Sequence, residues 1–584
     1  MDNRKGEEMR RLYLSTAVFA FLLMAIVMTS FFRTRRADAA KEVSQEPVQI
    51  RLVSSGPTQA EYEATMNAVS QSAAVQKLVN GANHRLISFQ TIDPDNKGQA
   101  SLPPKRFIAT FYDYTNNRVI EAEGLYAGSV VDNVREAFYQ PNPNEEEYDI
   151  AVQTVKGDSR LGPGLANGTL ITYAPMPPII EDSAVSGGDR IVTVGVMGDG
   201  QGDVTNEIVG VNLSRGGIVR FKGNAPPASR ADGAECGTVN AAGQATTSNA
   251  AGSHTLSIMQ GQTELWNFTV VRPSNRSSGT RASGIELQNV KYRGKSVLKR
   301  GHAPILNVKY GQNECGPYRD WQYQEGQFAT PAGSTDLAPG IRSCPSPATT
   351  SLENGTDVGN FRGVAIYTQG NETVLVTELE AGWYRYIMEW RLGNDGTIRP
   401  RFGFGAVRDT CICSTHHHHV YWRLDFDIVG PNNRVYTSER GKRFLQQQMT
   451  EFAMLRNYTT TRRLVIKNGS GDEGYAITPN VTDGNADTFG VGDFWVLRYR
   501  GTGTTAVQQE LDDGFNSTTS SNAFIHIDTM FLNGESIDNQ DIVVWYGGHF
   551  VHAGEPTDFN PSRNGQFVIS GNHVVGPEIT PIAW

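Results

Sequence analysis

The chain has 584 residues and a formal net charge of −9, long enough for roughly two to four domains. Apolar residues at 39% and charged residues at 19% exclude a wholly disordered or fibrous chain, and the acidic balance argues against a binder that tracks nucleic-acid phosphates. Five Cys are too few for a disulfide scaffold; 61 Gly and 27 Pro, set among runs of Val, Thr and Tyr, point to a mainly β fold.

The elements follow in chain order. Residues 1–11 read as a short cytosolic tail. Leu12 to Phe32 carries no charge and is long enough to cross a bilayer as a helix, with basic residues on both sides. A cleaved signal peptide has a shorter apolar run, and here the A-x-A-like site at Ala37-Asp38-Ala39 lies beyond a basic cluster, so a retained single-pass anchor is favoured. The ten N-x-S/T sequons downstream, from Asn167 to Asn516, would place the body in the secretory lumen or outside the cell. Residues 33–56 form a polar tether. Over 57–82 the apolar spacing predicts a helix, and over 84–180 it alternates as strands with turns, giving one or two small α+β domains across 57–180. Residues 181–253 read as a connecting segment rich in Gly, Ala and Ser. From 254 to 584 segments such as TELWNFTVV, VYWRLDFDIVG and DIVVWYGG predict a large antiparallel β-sandwich. The basic stretch at 289–300 reads as a solvated strand edge.

The densest chemical signal is CICSTHHHHVYWRLDFDIVG, residues 411–430. In a strand, alternate side chains share a face, so His416 and His418 face one way and His417 and His419 the other. Two imidazoles at this spacing suit a borderline metal such as copper or zinc, with a third ligand from elsewhere. The alternatives are a solvated polar run, or a thiolate pair at Cys411 and Cys413. Asp425 and Asp427 also share a face and would suit a hard cation.

These residues resemble the copper amine oxidase family, in which a strand carries His-x-His followed by Arg-Leu-Asp and alternating acids. Counting back from Arg423 puts the copper pair at His416 and His418. Counting forward from Asp541 in DIVVWYGGHFVHAGE gives His552 as the third ligand, with His549 as runner-up. The resemblance covers residues 280–570 most fully. It implies a topaquinone cofactor made from Tyr384, which lies in WYRY before the NDGTI turn; Tyr386 is its neighbour. Trp383 and Arg385 stand where the family has Asn and an acid. The carboxylates Asp425, Asp427 and Asp541 are candidates for calcium.

The family's general base follows a tyrosine matched here by Tyr310, but its expected position falls on Gln324, which cannot accept a proton. Asp320 and Glu325 are the nearest carboxylates. Cys344 falls near a half-cystine of a family disulfide, with Cys315 as the implied partner. The resemblance thus implies a homodimer that oxidises small primary amines with O2 to aldehyde, ammonia and hydrogen peroxide. The reading from a different class is a catalytically silent, membrane-tethered glycoprotein that keeps the fold as a binding or structural module, or a metal site without quinone.

Overall fold

The computed structural model describes residues 46–92, 105–137, 140–141, 143–173, 189–198, 206–220, 249–275, 284–310, 317–320, 325–381, 384–406, 416–442, 444–481, 483–486, 492–499, 532–552, 559–560, 568–569 and 575–584. The expected span at 12–32 lies outside them, and among the described residues no helix is long and apolar enough to cross a membrane. The chain divides into a short unit, residues 1–49 with 260–262, and a large one, residues 50–259 with 263–584. The fold and site described below belong to the large unit.

The helix expected over 57–82 is two helices, Gln59–Ser70 and Ala73–Val79. Thr58 and Glu61 cap the first reciprocally, and the Ser72 hydroxyl accepts from the Val75 amide to start the second. Tyr62, Val69, Val75 and Val79 bury their side chains with Phe89, Phe107 and Phe111 of a four-stranded sheet, His84 to Ala137. A second four-stranded sheet joins Leu170–Tyr173 to Ile191–Gly198, Asn206–Asn212 and Ile218–Arg220, strands from both sides of position 180, where the sequence placed a boundary.

Seven strands position the site: β1 (Lys295–Tyr310), β2 (Glu372–Ala381), β3 (Tyr384–Gly393), β4 (Ile398–Ala406), β5 (His416–Phe426), β6 (Phe494–Arg498) and β7 (Ile542–His552). One large sheet of ten strands includes, as neighbours in this order, Thr263–Val271, Glu286–Tyr292, β1, β5, β7, β6 and Phe452–Met454. The other has eleven strands, with β2, β3 and β4 at its centre and the C-terminal strand Glu578–Ile582 beside β4. The expected mainly β fold of antiparallel sheets is present; among the described residues Ile341–Ser343 pairs in parallel with Val364–Gln369.

Two buried indoles tie the sheets face to face. Trp266 of the first donates to the Gly393 carbonyl of the second at 2.9 Å, and Trp390 of the second donates to Ile285 beside the first at 3.1 Å. Each polar edge thus has a partner inside an aromatic core. The turn after β3 fixes its register: Gly396 has φ +91°, and a Cβ there would lie 2.5 Å from the Tyr292 ring. Only glycine fits both the left-handed backbone and that close approach. In that register Leu392 pairs with Ile398 and Tyr384 with Ala406.

The basic stretch at 289–300 is not a solvated edge. It forms a hairpin through Arg293 and Gly294, both with positive φ, into the interior strand β1. Lys299 and Arg300 are buried; Lys299 donates to Asn289, and Arg300 pairs with Glu286 at 3.1 Å. Cys344, expected in a disulfide with Cys315, is instead a buried free cysteine, its thiol pushed up by burial. Cys236, Cys315, Cys411 and Cys413 lie outside the described residues.

Candidate active site and metal sites

The histidine run opens β5, which lies between β1 and β7. The antiparallel register sets His416 opposite His552, His418 opposite Phe550 and His419 opposite His549. Directly paired residues share a face of a ladder, so 416, 418 and 552 occupy one face and 419 and 549 the other. The three sequence-selected ligand positions thus share a face by register, and His549, the runner-up, lies on the other. The side chains of His416 and His552 lie outside the described residues.

His418 is fully buried in the sandwich interior. Its ring lies 4.8 Å from Phe550 and 4.7 Å from Phe404, all three nearly parallel. Tyr384, the sequence-selected cofactor precursor, meets it edge-on at 4.7 Å and 89°. Tyr386 stacks on Tyr384 at 5.4 Å. Tyr384 opens β3 immediately after a two-residue connection, 382–383, whose residues, Trp383 among them, lie outside the described set; the register closes from Ala381 to Tyr384. A phenol from one sheet and an imidazole from the other therefore meet in a water-poor aromatic core.

Arg385 faces the opposite way. Its guanidinium is buried against Asp357 at 2.8 Å, with Glu380 at 3.9 Å. It also donates to the Tyr384 backbone carbonyl at 3.1 Å. Beside it, burial pushes the Glu378 carboxyl up to about 8, although the Ser351 amide donates to it at 2.8 Å.

The two carboxylates considered as base have different settings. Glu325 is fully buried and gripped by Arg272, whose Nε donates at 2.9 Å, while the Ser274 amide donates at 3.0 Å. That ion pair is a structural anchor, so Glu325 is corrected from candidate base to ion-pair partner. Asp320 lies in a strand, Pro317–Asp320, that pairs with β1. Asp320 is opposite Leu306, which is opposite Val420, two residues from His418 on the same face. Its backbone thus shares the histidine face; its side chain and Gln324 lie outside the described residues, as does the Tyr310 side chain, although Tyr310 is in register with His416.

At the far end of β5, Asp425, Asp427 and Asp541 bring carboxylate oxygens within 4.8 Å of one another, two of the three residues buried. Among the described residues this is the one group of three or more His, Cys, Asp or Glu that meets so closely. Three crowded carboxylates repel unless a cation joins them, and an all-oxygen set suits a hard ion.

Sequence reasoning missed the anchoring of the outer histidines. His419 Nδ1 lies 2.9 Å from His549 Nδ1, and His549 Nε2 is 3.0 Å from the Gly492 carbonyl and 3.1 Å from Asp493 Oδ1. Burial would raise the Asp493 carboxyl, but the hydrogen bond from His549 and the Arg456 charge, 2.8 Å away, hold it below the usual range. The His417–His419 spacing was visible in the sequence; nothing there pointed to Asp493.

No protein-family model matches the sequence, and no curated protein matches it. Solved structures do. A copper-containing benzylamine oxidase from Hansenula polymorpha superposes with a TM-score of 0.60 at 12% identity, covering 90% of this chain and 97% of that one. An amine oxidase from Aspergillus nidulans gives 0.53 at 14%, covering 92% and 90%. A lysyl oxidase from Pichia pastoris gives 0.52 at 11%, covering 92% of each. At these identities the likeness shows a shared fold across nearly the whole chain.

Proposed function

We propose that this chain oxidatively deaminates small primary amines to aldehyde, ammonia and hydrogen peroxide, with copper held by His416, His418 and His552 and a quinone derived from Tyr384. The observation that carries the reading is the 4.7 Å edge contact between the Tyr384 and His418 rings, two residues selected from separate sequence motifs. The residues fit both groups: three imidazoles are a donor set suited to copper, and the phenol is in contact with one of them. When bound, copper with O2 would supply the oxidation of the phenol, and the quinone carbonyl the electron sink for the amine.

The chain's own residues would do the rest. Phe404 and Tyr386 pack on the Tyr384 ring, and Phe404 and Phe550 on the His418 ring, so that both would be held in place with water excluded. Asp320, on the histidine face by register, would take the substrate's α-proton, and Glu325, already neutralised by Arg272, would not. Asp425, Asp427 and Asp541 would hold calcium as a structural ion.

The test is peroxide release from a panel of primary amines by copper-loaded protein, with and without a copper chelator, together with the mass of the Tyr384 peptide. Chelator-sensitive peroxide and a modified peptide are expected. An unmodified Tyr384 and no peroxide from any amine would overturn the reading. One observation favours a second reading, a metal-holding module without turnover: of the two carboxylates considered as base, the one whose side chain is described, Glu325, is locked in an ion pair. Bound copper with an unmodified Tyr384 would select it.

A further inference from the structure

We infer that the back of β5 carries a second site for a borderline divalent metal such as zinc, formed by His419, His549 and His417. The argument starts from a tautomer. His549 Nε2 faces two oxygen acceptors, the Gly492 carbonyl at 3.0 Å and Asp493 Oδ1 at 3.1 Å. It must therefore carry the proton, which leaves Nδ1 of a neutral ring with its lone pair exposed. That lone pair points at His419 Nδ1, 2.9 Å away.

Two nitrogens of a tetrahedral zinc site, each about 2.05 Å from the metal, lie about 3.3 Å apart. The His419–His549 pair needs a separation of only a few tenths of an ångström to admit the ion. Without metal, a proton on His419 Nδ1 fills the gap. The carboxylate behind His549 is the partner that metal-binding histidines usually have: it fixes the tautomer and raises the basicity of the ligating nitrogen. Arg456 in turn holds Asp493 at 2.8 Å, so the support is itself supported.

A third imidazole lies nearby. His417 lies on the same face, two residues before His419, with ring centroids 6.2 Å apart. It is half-buried, and a turn of its ring onto the ion would leave a water to complete the coordination. The front and back of β5 thus repeat one pattern, a His-x-His pair with a cross-strand histidine from β7. The register pairs 416 with 552 in front and 419 with 549 behind.

The test uses the full chain, stripped with chelator and titrated with Zn(II) in buffer containing calcium to occupy the carboxylate group. The proposal expects one zinc equivalent that His419→Ala and His549→Ala lose and His418→Ala keeps. Failure of the copper reading would remove a different equivalent, the one sensitive to His418→Ala. Circular dichroism reports whether each variant folds. If the alanine variants do not fold, Co(II) replaces zinc in the wild-type and His418→Ala chains, where tetrahedral d–d absorption should appear in both. Zinc retained in full by folded His419→Ala and His549→Ala chains, or no Co(II) absorption in either chain, would overturn the site.

Discussion

Strands β3 and β5 face each other across the sandwich, and each divides its residues between two environments. Inward, Tyr384, Tyr386 and His418 meet aromatic rings. Outward, Arg385 pairs with Asp357, and His419 joins a chain of polar contacts through His549 and Asp493 to Arg456. Successive residues alternate sides, so neighbours one position apart have unrelated roles. The aromatic side suits oxidative chemistry, because rings exclude water and add no formal charge. The outer side holds its charges in pairs, because an unpaired ion there would be costly. Inward substitutions should register in turnover and outward ones in stability.

The largest effect expected is on the inner side. Tyr384→Phe should reduce amine-dependent peroxide release to background while moving the thermal midpoint by only a few degrees, which parallel activity and melting measurements would show. A large loss of stability with activity retained would break the contrast. On the outer side, Arg385→Ala leaves Asp357 buried without its cation and should cost about 3–5 kcal/mol by urea unfolding. Lower turnover per folded molecule in that variant would mean that the guanidinium does reach the ring.

The pH dependence of stability sharpens the same contrast. Glu378 is raised from an ordinary 4.5 to about 8 by burial on the outer side of β2. The folded chain keeps a proton there that the unfolded chain releases, so this contribution is complete below about pH 4.5. It declines as pH rises and is gone above about 8, a change of a few kcal/mol. Glu378→Gln should flatten the curve between pH 5 and 8; an unchanged slope would show that another group carries it. The smallest effect is at the carboxylate group: calcium at a hundredfold excess over its Kd should add about 2.7 kcal/mol, and Asp541→Asn should diminish it.

Much of the site was legible because it rests on alternation and counting. The His-x-His spacing fixed the shared face, and the count from Asp541 to His552 matches the observed pairing with His416. Tyr384 was picked out through the family resemblance, by counting back from the NDGTI turn, and in the structure that turn joins the two strands whose register pairs Tyr384 with Ala406. What escaped the sequence depends on partners remote in the chain. Lys299 and Arg300 look solvent-exposed until Asn289 and Glu286 are set across from them. Glu325 looks like a free acid until Arg272, 53 residues earlier, closes on it. The 57–82 segment reads as one helix because its apolar spacing is continuous, while the Ser72 hydroxyl starts a new one.

β5 begins with the histidines and ends with the acidic pair, and from His418 to Asp425 an extended chain covers about 23 Å. Such a chain stretches very little. An ion clamped at Asp425, Asp427 and Asp541 would pin β5 to β7 at that end, and the sliding of one strand on the other that would part His416 from His552 would be blocked along the whole ladder. The strand would then work as a stiff rod between two anchorages, and loss of the hard ion would be felt as a loosened grip on the metal at the histidine end.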